Sequence, residues 1–290
     1  MSIKRSLVTI NTPVGQPGFL GPGHTARPVV NGSFSKTDPF IMLMDDLLDK
    51  KGNEPVGGPH PHAGFETVTF VLEGKIGDAA HTMQAGDFQM MTAGSGIIHT
   101  ETIEEETKLR ILQLWLALPK KDMWVKPRVQ DLPLEHVPTS NENGVAIKLY
   151  SGSLAGISSP IQNYTSLIVA DITIDAGVST VLHLPANYNT FLYVINGDVK
   201  VGEDGQPLRQ NQIGWLDLYD ESSESDLKLA GGKDSVRLVL YAGKPTKDPI
   251  VSYGPFIAES LEDISRLYQE YRQGQMQHIS TVPESQRILL

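Results

Sequence analysis

The sequence has no cysteine among its 290 residues. This absence excludes disulfide bonds, thiolate metal ligands and cysteine nucleophiles, and with them iron–sulfur and blue-copper centres. A protein without disulfides is typical of a reducing compartment, so we expect a cytoplasmic location.

Long apolar runs and basic charge are also scarce. The longest apolar run, residues 111–118, contains Gln113 and is too short to cross a bilayer. The first residues lack the apolar stretch of a signal peptide, so we do not expect one. The formal net charge is −10. Nucleic-acid binding depends on basic groups that neutralise phosphates, so this charge disfavours it. We therefore expect neither a membrane nor a nucleic acid as a partner.

Short β-rich runs separated by turn residues make up most of the sequence. Many such runs, with Gly and Pro between them, predict an all-β sandwich or barrel. Residues 1–30 are rich in Gly and Pro and are expected to form a loop, and only residues 257–273 have the apolar spacing of a helix. The main strands are expected at residues 67–72, 88–91, 109–118, 145–150, 167–174, 191–195 and 236–241.

Two short segments of the first half recur in the second half, in the same order and at nearly equal spacing. Residues 71–74 (VLEG) are echoed by residues 194–197 (VING), and residues 109–112 (LRIL) by residues 236–239 (VRLV). A tandem duplication of a β-domain explains this pattern.

The proline-rich residues 119–144 are the expected join between the two copies. This gives an N-terminal metal-binding domain of residues 1–133 and a C-terminal domain of residues 134–290, which carries the C-terminal helix. The second domain is expected to be degenerate, because it repeats the strands of the first domain without its cluster of histidines.

Two glycine-rich stretches each carry two metal-binding side chains at positions i and i+2. Successive side chains of a strand point to opposite faces, so His60 and His62 share one face, as do His99 and Glu101. If the two strands pair, three imidazoles and one carboxylate converge on a single ion. Glu66 is the competing carboxylate, because it lies four residues after His62.

Three nitrogens and one oxygen form a borderline ligand set, which suits Fe, Mn, Co, Ni, Cu or Zn and does not suit Ca or Mg. Pro61 removes a backbone donor between the two histidines, which places the site at a strand edge and at the mouth of a barrel. The remaining histidines have no partner at such a spacing and are expected to be structural or on the surface: His24, His81, His136, His183 and His278.

Both stretches resemble the signature of the pirin family, a branch of the bicupins in the cupin superfamily. The first reads HPHAGFETV from His60, and the second reads MTAGSGIIHTE from Met91. The resemblance also includes DPF at residues 38–40, LQLW at residues 112–115 and YGPF at residues 253–256. It therefore covers nearly the whole chain and implies two tandem cupin domains, each a jelly-roll.

The resemblance implies one divalent transition metal, Fe(II), on His60, His62, His99 and Glu101 of the first domain. Cupins in general place a glutamate ligand where this sequence has Thr67, whereas the pirin pattern supplies the carboxylate from Glu101. Residues 74–86 are shorter than the corresponding hairpin of many pirins, which affects substrate specificity more than metal binding.

Two functions follow from the resemblance. Some bacterial pirins act as quercetin 2,3-dioxygenases, so the expected activity is the metal-dependent opening of a flavonol-like ring by dioxygen. Glu101 would then be both a ligand and the base that takes the proton of the 3-hydroxyl. Other pirins resemble metal- or redox-sensing regulators that bind protein partners without catalysis. The fold alone does not choose between these functions.

Overall fold

A computed structural model describes residues 2–77, 82–100 and 102–290. It contains a one-turn helix, α1 (Phe34–Thr37), and a helix of twelve residues, α2 (Leu261–Arg272). No helix in this part of the chain combines the length and the apolar character needed to span a bilayer. Short 3₁₀ helices cover Lys120–Asp122, Leu134–His136, Ile279–Thr281 and Glu284–Gln286.

Strands dominate the first half of the chain, and the strands expected at residues 67–72, 88–91 and 109–118 are confirmed. The strands of this half are β1 (Ile3–Lys4), β2 (Leu7–Asn11), β3 (Gln16–Pro17), β4 (His24–Val30), β5 (Phe40–Lys50), β6 (Pro59–His62), β7 (Phe65–Glu73), β8 (Lys75–Gly77), β9 (Thr82–Gln84), β10 (Phe88–Thr92), β11 (Ile97–Thr100), β12 (Thr107–Ala117) and β13 (Arg128–Leu132).

Strands also dominate the second half, and all four strands expected there are confirmed. They are β14 (Thr139–Glu142), β15 (Val145–Ser151), β16 (Ser153–Leu154), β17 (Ile157–Ser158), β18 (Leu167–Ile174), β19 (Ser179–Pro185), β20 (Asn189–Asn196), β21 (Asp198–Val201), β22 (Gln206–Arg209), β23 (Ile213–Leu216), β24 (Glu224–Gly231), β25 (Val236–Gly243), β26 (Val251–Tyr253), β27 (Phe256–Ala258), β28 (Gln277–His278) and β29 (Arg287–Leu289).

The loop expected over residues 1–30 is wrong, because β1 to β4 fall there. In β4, His24 and Ala26 are buried and Thr25 between them is exposed, which is the alternation of a half-buried strand. Pro28 and the neighbouring glycines hide this alternation in the sequence.

The C-terminal helix is confirmed, but it begins four residues later than expected. The preceding segment forms β27, and Ser260 then caps the helix by accepting a hydrogen bond from the N–H of Asp263 at 3.1 Å. Ile264 and Leu267 form the buried side of α2.

The chain divides into two compact units that exchange their terminal segments. The N-terminal unit contains Gly15–Lys36, Phe40–His136 and Thr246–Leu290. The C-terminal unit contains Met1–Val14, Thr37–Pro39 and Val137–Pro245. The sequence predicts a single boundary between residues 133 and 134, with each domain a continuous segment, whereas each observed unit consists of three separate segments. The reason for the difference is strand pairing, because β2 pairs with β23 and β28 pairs with β11.

The N-terminal unit is built from two main sheets. The larger has the strand order β29-β13-β10-β7-β12-β5-β4-β3, and the smaller has the order β28-β11-β6. The C-terminal unit likewise contains a large sheet, β14-β15-β18-β25-β20-β23-β2, and a smaller sheet of β1, β24, β21 and β22 with β19 beside β24. Leu, Ile and Val side chains fill the core of the C-terminal unit. Both units thus have the two-sheet arrangement expected of a jelly-roll.

The two units repeat one ion pair, which supports the duplication. In the N-terminal unit, Arg110 of β12 donates from Nε and Nη2 to the two oxygens of Asp45 on β5, at 2.8 and 2.9 Å. In the C-terminal unit, Arg237 of β25 makes the same pair of hydrogen bonds to Asp171 on β18, both at 2.9 Å. The second arginine lies in the segment that echoes the first.

Candidate metal centre

Strands β6 and β11 bring three histidines together. The two strands pair in antiparallel register, with His60 opposite His99 and His62 opposite Ile97. Side chains two residues apart on a strand share a face, so all three imidazoles point to the same side of the small sheet.

The three imidazoles meet through their Nε2 atoms. Nε2 of His99 lies 2.7 Å from Nε2 of His60 and 3.0 Å from Nε2 of His62. Within the described ranges these residues form one group of potential metal ligands, whose ligand atoms all lie within 4.8 Å of one another. His62 and His99 are buried, and His60 is half-buried.

Neighbouring groups fix the orientation of the imidazoles. Nδ1 of His60 donates to the carbonyl of Gly58 at 2.8 Å, so Nε2 of this ring carries a lone pair toward the other two rings. The rings of Phe65 and Trp115 pack edge-on against His62, each with its centroid 5.3 Å away. Nδ1 of His62 is buried without a hydrogen-bond partner among the described residues.

These contacts fit a bound cation better than hydrogen bonding alone. Nε2 of His99 contacts the Nε2 atoms of both His60 and His62. Nε2 of His60 carries a lone pair, so a hydrogen bond between His60 and His99 requires the proton to lie on Nε2 of His99. With that proton in place, Nε2 of His99 cannot also accept a hydrogen bond from His62. The other contact then has no hydrogen bond. A divalent ion accepts a lone pair from each of the three nitrogens, so the donor set fits a transition metal.

Burial keeps these imidazoles neutral. It lowers the pKa of His62 to about 2 and the pKa of His99 to about 3, and the charge that a neighbouring protonated histidine would carry lowers both further. Neutral imidazole is the form that binds a metal, so the site is ready for an ion at neutral pH.

Two glycines let the backbone turn beside the histidines. Gly64 has a φ of 84° and Gly94 a φ of 49°. A Cβ on Gly64 would lie 1.9 Å from the carbonyl oxygen of Ile257, and a Cβ on Gly94 would lie 2.1 Å from that of Val125. Only glycine fits at either position.

The two candidate carboxylates differ in what the structure describes. Glu101 lies outside the described residues, so its role as the fourth ligand stays a prediction. Glu66 is buried in β7, where its Oε1 accepts a hydrogen bond from Thr92 Oγ1 at 2.7 Å, and it does not belong to the histidine group. Glu66 is therefore a structural residue outside the group.

Glu66 makes the stability of the fold dependent on pH. Burial raises its pKa from 4.5 to about 7, although the Thr92 hydroxyl acts in the opposite direction. The folded chain holds this proton more tightly than the unfolded chain, so the contribution to stability is complete below pH 4.5 and is lost as the pH rises through 7. We expect Glu66→Gln to raise the free energy of unfolding at pH 8 by up to about 3 kcal/mol and to leave it nearly unchanged at pH 4.5.

Urea denaturation at the two pH values measures this difference. The control is Glu73→Gln, which changes an exposed glutamate on the same strand and should shift neither value. Equal effects of Glu66→Gln at pH 4.5 and pH 8 would contradict the assignment of the raised pKa to Glu66.

A cavity of about 810 Å³ lies beside the three histidines. Its walls are mostly apolar and include Met42 and Met44 of β5 and Ile111 and Trp115 of β12. This volume and lining are typical of a small-molecule site.

The structure also places a histidine that the sequence analysis assigned to a structural or surface role. His24 lines the cavity, where its Nε2 lies 2.9 Å from Oδ1 of Asp46. The glycines and prolines around His24 predict a loop, so the pair with Asp46 is not expected from the sequence. The signal in the sequence is that His24 and Ala26 lie two residues apart, as residues on one face of a strand do.

Three of the other histidines do not belong to the group of potential ligands and make other contacts. His136 Nδ1 lies 2.6 Å from the carbonyl of Leu290, and His183 Nδ1 lies 2.9 Å from Asp226. His278 contacts the Thr100 hydroxyl through Nε2 at 2.8 Å. His81 lies outside the described residues.

Comparison with known proteins gives matches along most of the chain. The family model described as Pirin matches residues 24–116, and the model described as Pirin C-terminal cupin domain matches residues 169–277. Pirin from Rattus norvegicus is 35% identical over 266 residues, which cover 87% of this chain and 87% of that protein.

Two further proteins carry names that bear on function. A Pseudomonas aeruginosa protein named "Putative quercetin 2,3-dioxygenase" is 33% identical over 290 residues, covering 94% of this chain and 99% of that protein. The crystal structure of the bacterial pirin YhhW from Escherichia coli in complex with nickel(II) is 17% identical, covers 82% of this chain and 100% of that chain, and has a TM-score of 0.60. This last likeness is one of fold.

Proposed function

The chain belongs to the pirin family, and we propose that it is a metal-dependent dioxygenase that opens the ring of a flavonol-like compound. One observation carries this proposal: three Nε2 atoms, each within 3.0 Å of a neighbouring one, face a mostly apolar cavity of about 810 Å³. The name of the Pseudomonas relative supports the same reaction class.

The residues proposed to hold the metal are His60, His62, His99 and Glu101, with Fe(II) as the working ion and Mn, Co, Ni, Cu or Zn as alternatives. The nickel(II) bound by the bacterial pirin YhhW supports a divalent transition metal as the partner of these residues. When bound, such an ion supplies a Lewis acid for the oxygen atoms of the substrate and redox chemistry for the reaction with dioxygen.

The protein residues have three tasks in this proposal. The imidazoles bind the metal as neutral ligands, because burial prevents their protonation at neutral pH. The apolar walls, with Trp115 beside His62, enclose planar aromatic rings and exclude water. Glu101 takes the proton of the flavonol 3-hydroxyl, which leaves an electron-rich ring for attack by dioxygen.

Quercetin added to iron-loaded protein under anaerobic conditions tests this function. Admission of oxygen should start a loss of the flavonol absorbance in the wild type and none in His60→Ala. The control is His183→Ala, an exposed histidine of the C-terminal unit, which should behave as the wild type. Metal binding without turnover by any of the six ions would contradict the dioxygenase and favour a metal-dependent binding protein.

A further inference from the structure

Asp46 and His24 form a polar pair on an otherwise mostly apolar wall of the cavity. Asp46 lies on β5 opposite Ala26 of β4, so His24, two residues before Ala26, is its diagonal neighbour on the same face. On the other side Asp46 lies opposite Ile111 of β12. Both members of the pair line the cavity.

Hydrogen bonds fix the orientation of His24. The backbone N–H of Leu20 donates to Nδ1 of His24 at 3.1 Å, so Nδ1 carries a lone pair and the ring proton lies on Nε2. Nε2 therefore donates to Oδ1 of Asp46 at 2.9 Å. The His24 side chain is fully buried, and it holds the Asp46 carboxylate in one position.

The second oxygen of Asp46 is available to a ligand. The Asp46 side chain retains 17% of its exposure and lies on the cavity wall. Across the described ranges 2–77, 82–100 and 102–290, Oδ2 has no hydrogen-bond partner, and Asp46 is the single carboxylate among the cavity-lining residues. An oriented acceptor in apolar surroundings is typical of a group that selects a polar feature of a ligand.

The pair lies away from the three histidines. Trp115 packs on His62 and lies opposite Met42 of β5. Asp46 is four residues beyond Met42 on β5. At about 3.3 Å per residue, the two residues are roughly 13 Å apart along the strand. A planar compound of three rings held at the histidines extends over a comparable distance, so its far hydroxyl groups reach the position of Asp46.

We propose that Asp46, oriented by His24, is a specificity-determining residue that accepts a hydrogen bond from a phenolic hydroxyl on the end of the substrate away from the histidines. This inference rests on the proposed function and narrows its substrate class to polyhydroxylated aromatic compounds. A site built to bind a hydroxyl discriminates strongly against an analogue that lacks it, because the buried acceptor is then left unpaired.

The test compares quercetin with 3-hydroxyflavone, which keeps the 3-hydroxyl and 4-keto groups and lacks every other hydroxyl. Binding to the metal-loaded protein is measured without oxygen, by quenching of tryptophan fluorescence. We expect the wild type to bind quercetin at least about 10-fold more tightly. In Asp46→Asn, which keeps the size of the side chain, affinity for quercetin should fall about 10-fold and affinity for 3-hydroxyflavone less than about 2-fold.

Asp49→Asn is the matched control, because Asp49 lies on the same strand and points to solvent. Equal loss of affinity for both compounds in Asp46→Asn, no loss for either, or binding of neither compound by the wild type would overturn the inference. The wild-type comparison also tests it if the variant does not fold. Binding of quercetin that depends on Asp46, without turnover, would reject the dioxygenase and keep the inference about Asp46. Turnover of quercetin, with the same preference over 3-hydroxyflavone in Asp46→Asn as in the wild type, would keep the dioxygenase and reject the inference.

Discussion

Replacing His62 by alanine is expected to abolish metal binding. His62 is buried, its Nε2 lies 3.0 Å from that of His99, and the group of potential ligands among the described residues contains only two other members, His60 and His99. Loss even of a residue that only orients a ligand costs 10- to 100-fold in metal affinity, so we expect at least about a 100-fold loss here. Elemental analysis after dialysis and titration with Fe(II) measure this loss.

The two candidate carboxylates provide the comparison for this experiment. Glu101→Ala should also weaken Fe(II) binding, because Glu101 is the proposed fourth ligand. Glu66→Gln should keep the ion, because the Glu66 carboxylate bonds to Thr92 outside the histidine group. A stoichiometric ion in His62→Ala, or its loss in Glu66→Gln alone, would show that the ligand set is wrong.

Replacing Asp45 by alanine is expected to lower the free energy of unfolding by about 3–5 kcal/mol, the cost of removing one partner from a buried ion pair. The Asp45 side chain has no exposure and accepts hydrogen bonds from two arginines. Arg27 donates from Nη1 at 2.7 Å, and Arg110 donates from Nε and Nη2. Without Asp45, two largely buried guanidinium groups lose this shared anion. Urea denaturation at pH 7 measures the change.

The duplication supplies a matched control for Asp45→Ala. Asp171→Ala breaks the corresponding pair of the C-terminal unit, where Asp171 makes two side-chain hydrogen bonds to Arg237 alone. The Arg237 side chain is 35% exposed, so water replaces part of what it loses. We expect Asp171→Ala to lower the free energy of unfolding by less than Asp45→Ala does. An equal or larger decrease would contradict the contribution of Arg27, the additional partner of Asp45.

Local patterns in the sequence are sufficient for the seven main expected strands and for the histidine cluster. A period of two placed His60 and His62 on one face, and the same rule applied to the His99 strand, so the group could be predicted without knowing how the sheets are arranged. The cavity pair was not predictable in this way. Asp46 follows a mostly apolar run in β5, and the proline and glycines around β4 hid its partner.

The exchange of terminal segments was also beyond local reasoning. Strand β2 pairs with β23 and strand β28 pairs with β11, across separations of about 200 and 180 residues in the chain. No periodicity within one window encodes such pairings, because they depend on which strand edges remain available after the rest of each sheet has formed.

The position of β28 bears on the order of events during biosynthesis. Two of the three clustered histidines lie on β6 and one on β11, yet the sheet that holds them also includes residues 277–278, and Ala63 bridges to Phe256. A ribosome produces the histidines long before it produces these supporting strands. The nascent chain therefore carries the three histidines through most of translation without their complete scaffold. The arrangement that we propose to bind an ion forms only after these later strands have been made.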